Sequence, residues 1–112
     1  ILGEKQQLRK QLSEKEYNKI SVRIELQADY LAGVFASRIE DKGYLDIDDI
    51  DDAIRAAESV GDDILQKRYQ GAVVPDAFTH GTADMRSRWF MKGYNTGNFD
   101  EFDTFKYKYD DL

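Results

Sequence analysis

The sequence predicts a mainly α-helical fold of three to four helices with an aromatic C-terminal tail, and three observations carry that prediction. Apolar residues along 20–39 recur at four- and seven-residue intervals, the period of a helix face and not the alternation of a strand. Residues that start and stop helices stand at the ends of each periodic stretch. A single proline in 112 residues leaves those stretches unbroken.

Taken in order, residues 1–12 ("ILGEKQQLRKQL") are polar and charge-mixed, a weak helix or a frayed entry. Ser13 with Glu16 three residues on forms a capping-box signal. A long helix follows to about Lys42 and stops at Gly43. Its main apolar stripe is Ile20, Ile24, Leu31, Phe35 and Ile39; the opposite side carries Leu26, Tyr30 and Val34, so the stretch is apolar on nearly all sides, as in a central, buried helix. Asp46 predicts the cap of a second helix, with Asp48 and Asp49 in the first turn, where the helix dipole favours anions. Its stripe is Ile47, Ile50, Ile54 and Ala57, and it pauses at Gly61. Asp62 is expected to cap a short continuation, with "GDD" at 61–63 read as a helix break. A loop holding the sole proline and sole histidine leads to a helix over 82–95, which carries Met85, Trp89 and Phe90 as core residues and closes near Gly97. The tail "NFDEFDTFKYKYDDL" is either a wrapping segment or disordered.

Composition bounds the function. The chain is one domain or part of one, residues 1–112, and its opening at Ile1 instead of Met suggests a piece of something longer. A net charge of −6 excludes the basic footprint of a nucleic-acid binder. No run approaches the ~20 apolar residues of a membrane span. With no cysteine, disulfides and thiolate metal sites are excluded. "EDKGYLDIDDIDD" resembles a calcium loop only superficially, since Arg38 and Lys42 would stand where oxygen ligands are needed.

The informative stretch is "ELQADYLAGVFA" at 25–36. Its only charges, Glu25 and Asp29, lie one helical turn apart among apolar neighbours. Ala32 and Ala36 continue the same strip, and small residues there let another backbone approach. Buried carboxylates need donors, a cation or a metal. Either a structural ion pair with Arg23 or Arg86, or a metal, satisfies that requirement.

"VRIELQADYLAGVFA", "AIRAAESVGDDILQ" and "VVPDAFTHGTADMRSRWFMKGYNTG" together resemble the C-terminal part of the bacterial neutral zinc metallopeptidases, which are zincin-like. The resemblance runs from about residue 20 to 105. It implies hydrolysis of peptide bonds through a zinc-activated water, with peptide or protein as substrate. In that family the H-E-x-x-H helix comes earlier in the chain and supplies two histidine ligands and the general base. By the same resemblance Glu25 is the third zinc ligand, while Asp29 orients a ligand histidine. His80 is a candidate stabiliser of the transition state on the active-site rim, and Arg86 anchors a carboxylate.

No H-E-x-x-H occurs here, and His80 is the sole histidine. The expectation is therefore a fragment that is inactive alone and binds no zinc tightly. The alternative is a non-catalytic helical interaction module with a Glu/Asp–Arg ion-pair network. Without its partner helix, the Glu25/Asp29 face (Asn18, Val22, Glu25, Asp29, Ala32 and Ala36) loses its cover, and it is expected to self-associate with a second copy or to be covered by rearrangement within the chain. The resemblance also suggests a protein exported or membrane-anchored in bacteria. Relatives of this pattern carry cysteines at the sites of Tyr30 and Phe102, which implies a cross-link there. Two aromatic rings are expected to keep that contact by burial, with 99–105 packed on the long helix and 106–112 lacking an anchor.

Overall fold

The computed structural model of the chain describes residues 13–43, 47–73 and 78–112. The reading of 1–12, the Asp46 cap, the proline and the side chains of Ile47 and Ala57 lie outside them. Among the described residues there are four α-helices and no strand. They are α1 (Glu14–Asp41), α2 (Ile47–Ser59), α3 (Asp62–Gln70) and α4 (Ala83–Thr96), followed by single 3₁₀ turns at Thr104–Lys106 and Tyr109–Asp111. The mainly α prediction holds.

Local signals set the helix ends. The Glu16 N–H donates to Ser13 Oγ at 3.2 Å, satisfying one of the orphan donors of the first turn. Beyond α1, Gly43 takes a left-handed φ of +80°. Thr82 caps α4 by accepting from the Met85 N–H at 3.1 Å, and Gly97 ends it with φ of +64°.

The core is the crossing of α1 and α4. Gly33 meets Phe90, Asp29 pairs with Arg86, and Ser37 lies beside Gly97, so the two helices run parallel. They touch backbone to backbone. A Cβ on Gly33 would sit 2.0 Å from Phe90 O, and one on Gly93 would sit 1.9 Å from Tyr30 O. Val22, Leu26, Tyr30 and Val34 of α1 pack with Phe78, Trp89 and Leu112, while Ala36, Ile50 and Phe90 form a second cluster beside α2.

The expectation of a helix buried on nearly all sides is corrected here, because the described residues cover only one side of α1. The buried face is Val22, Leu26, Tyr30 and Val34, whereas Leu31 and Phe35 of the predicted stripe are 38% and 62% exposed. The helix is apolar on both sides, so periodicity alone identified two candidate faces. Gly33 decided between them, because only its side admits the α4 backbone at that distance.

The tail wraps. It runs back along α1, with Thr104 Oγ1 donating to Arg23 O at 2.7 Å and Arg23 Nη1 donating to Thr104 O and, at 2.9 Å, to Tyr107 O. The expectation that 106–112 lacks an anchor is wrong. Tyr107 meets Trp89 edge-on at 5.3 Å, and Leu112 is fully buried, its carbonyl accepting from Trp89 Nε1 and Arg88 Nε. Nor do Tyr30 and Phe102 form a buried ring pair. Tyr30 is buried against Trp89 and hydrogen-bonds Thr96 and Asn98, while Phe102 is exposed.

Candidate carboxylate and metal-ligand site

Helix α1 places Glu25 and Asp29 one turn apart, and α4 brings Arg86 across to them. The Arg86 fork donates to both Asp29 oxygens, Nε to Oδ2 at 3.0 Å and Nη2 to Oδ1 at 2.9 Å. Both side chains are nearly buried. Arg86 Nη2 also lies 3.5 Å from Glu25 Oε1, and His80 Nδ1 lies 3.8 Å from Glu25 Oε2. The four residues singled out in the sequence, Glu25, Asp29, His80 and Arg86, thus converge on one place. Arg23 does not join them, because the tail carbonyls take its guanidinium.

The loop carrying His80 is fixed by residues that sequence reasoning missed. Asp62 was expected to cap α3, but Gly61 holds that position and Asp62 turns to the loop instead. Its Oδ2 accepts from the His80 and Gly81 N–H groups, each at 2.7 Å, and its own N–H donates to Gly81 O. Asp63 Oδ1 accepts from the Ala83 N–H at 2.9 Å. Charge-assisted bonds to backbone amides are strong and directional, so they hold the loop over Val22 and Leu26. Gly81, at φ +94°, supplies a bend that other residues rarely adopt. "GDD" is therefore a clamp as well as a helix break. The available signal was a second Asp after a glycine, where a single cap needs only one.

Burial lifts the Asp29 carboxyl above its ordinary value, and the negative charge of Glu25 adds to that rise. The Arg86 fork opposes the rise without cancelling it. Asp29 in turn pushes the Arg86 guanidinium upward, chiefly through their hydrogen bonds. Of the two outcomes expected for the Glu25/Asp29 face, the described residues show cover from within the chain, with Asn18, Val22, Asp29 and Ala36 buried. Asp29 is covered by Arg86 within the chain, and of the two acids only Glu25, with a side chain 37% exposed, still faces water.

The donor chemistry fits part of a zinc site. A catalytic zinc takes three protein ligands. Asp29 is committed to Arg86, but among the described residues the Glu25 oxygens meet charged partners only at 3.5 Å or longer, and the His80 imidazole stands beside them. No cluster of three such donors exists among the described residues. Glu25 with His80 offers two donors at this point, one short of the three such a site takes.

Comparison with known proteins agrees with the resemblance read from the sequence. The family described as "Putative neutral zinc metallopeptidase" matches residues 1–105. An uncharacterized protein of Escherichia coli strain K12, YpfJ, is 44% identical over 88% of this chain and 34% of its own length. An uncharacterized protein of Mycobacterium bovis is 44% identical over 75% of the chain and 32% of its own length. The chain thus spans about a third of the curated relatives it matches. No solved structure matches it significantly. With nearly its whole length matched, the chain belongs to the neutral zinc metallopeptidase family.

Proposed function

We propose that this chain is one part of a zinc-dependent peptidase domain and supplies Glu25 as a carboxylate ligand, the remaining ligands lying outside these residues. The observation that carries this reading is the state of Glu25. It is half-exposed, loosely held, and set beside the imidazole of His80 in a chain whose family is described by zinc peptidase chemistry. Zinc in such a site supplies a Lewis acid for amide hydrolysis. The chain's own residues set the geometry around it. The Asp29–Arg86 pair stiffens the turn of α1 that carries Glu25, and the Asp62 clamp holds His80 where it can donate to a developing oxyanion. By family analogy the complete protein is exported or membrane-anchored.

The test uses the complete gene product. Glu25→Gln should release bound zinc and abolish peptide cleavage while leaving the circular dichroism spectrum unchanged. The 112-residue chain alone should retain no stoichiometric zinc after dialysis and cleave nothing.

A second reading is favoured by the bidentate Asp29–Arg86 pair, which already satisfies the buried acid. On that reading the chain is a non-catalytic helical interaction module. Full zinc content and full activity in Glu25→Gln would transfer the argument to it.

A further inference from the structure

The main apolar stripe of α1 is left partly in water. Ile24, Ala28, Leu31, Ala32 and Phe35 form a continuous apolar strip at helical spacing, with Phe35 62% and Leu31 38% exposed and both alanines open. On the helix this strip borders Glu25. Exposed single apolar residues are ordinary, but a run of this length on a central helix marks a contact surface. The matched relatives are about three times longer than the span this chain covers. We infer that the strip is an interface on which the rest of the same polypeptide, outside these 112 residues, docks an apolar helix or strand face.

Two observations favour that occupant over a second copy. Each copy carries a net charge of −6, which opposes self-association, whereas a segment of the same chain docks without the entropic cost of bringing two molecules together. The strip also runs directly into the half-exposed Glu25 carboxylate, so a segment covering Phe35 and Leu31 lies within reach of that acid. The inference does not depend on the metal reading. If Glu25 proves not to be a ligand, the apolar strip still needs cover.

Hydroxyl-radical footprinting of Phe35 and Leu31 tests this, comparing the 112-residue chain with the complete gene product that contains it. Phe35 should be oxidised freely in the chain and about tenfold more slowly in the complete protein, as expected where reaction requires local opening. The double variant Leu31→Glu/Phe35→Glu should leave the Tm of the chain unchanged. In the complete protein it should lower Tm by about 5–10 °C through burial of unpaired charge. Equal Phe35 reactivity in both proteins would overturn the inference. So would concentration-dependent protection in the chain alone with a dimer in sedimentation, or a gene product no longer than the chain. Zinc content is read separately, so a complete protein that protects Phe35 but keeps its full zinc content in Glu25→Gln would sink only the ligand reading.

Discussion

Asp29 and Arg86 form the most consequential residue pair in the chain. A bidentate fork on a buried carboxylate repays part of the cost of removing two charges from water, and breaking such a pair leaves one charge uncompensated. Arg86→Met should destabilise the chain by about 3 kcal/mol in denaturant melts. It should also move the Asp29 carboxyl further above its ordinary value, because the influence that opposes burial is gone. The sign of the pH dependence follows from that direction. A carboxyl raised in the folded state favours folding while it is protonated, and that contribution is lost as pH rises through the folded value. The stability of the native chain relative to Asp29→Asn should therefore be greatest below the ordinary carboxyl value and fall as pH rises through the raised folded value. Carbon-detected titration of the Asp29 carboxyl checks both statements, and a value below the ordinary range would refute them.

Among the elements, α1 and α4 owe their register to two glycines. Gly33 and Gly93 lie where a Cβ would fall about 2 Å from the opposing backbone, and backbone cannot yield as a flexible side chain can. Gly93→Ala should separate the helices and cost more than about 4 kcal/mol, among the largest effects of a single methyl group. Gly43→Ala is the control, since nothing lies within 4 Å of its Cβ direction and only its left-handed φ of +80° is disturbed. That change should cost about 1 kcal/mol. Equal losses in the two variants would contradict the close crossing.

For the molecule as a whole, the tail closes the core. Leu112 is among the largest fully buried side chains, and it sits with Val22, Leu26 and Trp89, residues far earlier in the chain. Leu112→Ala should cost about 2–3 kcal/mol, as for other buried leucines. It should also loosen Trp89, whose indole N–H donates to the Leu112 carbonyl. Tryptophan fluorescence shifted to the red, with an earlier thermal transition, is the expected readout. An unchanged transition would mean that the tail decorates the fold and does not close it.

The sequence by itself determined the α class, most of the helix ends and the two acids that need a partner. Caps such as Ser13 and Gly97 act within a few residues of chain, so local chemistry suffices to place them. Glu25 and Asp29 were legible because acids among apolar neighbours require partners wherever the chain folds, and Arg86 was one of the two cations named for them; His80 entered through the family resemblance alone. The tertiary structure decided which face of α1 is inside, which cation meets Asp29, what holds His80 and where the last seven residues go. Each of these is a contact between residues far apart in sequence, and its outcome depends on steric fit. A helix apolar on both sides offers two acceptable faces, and only the glycine that tolerates another backbone at van der Waals distance selects one.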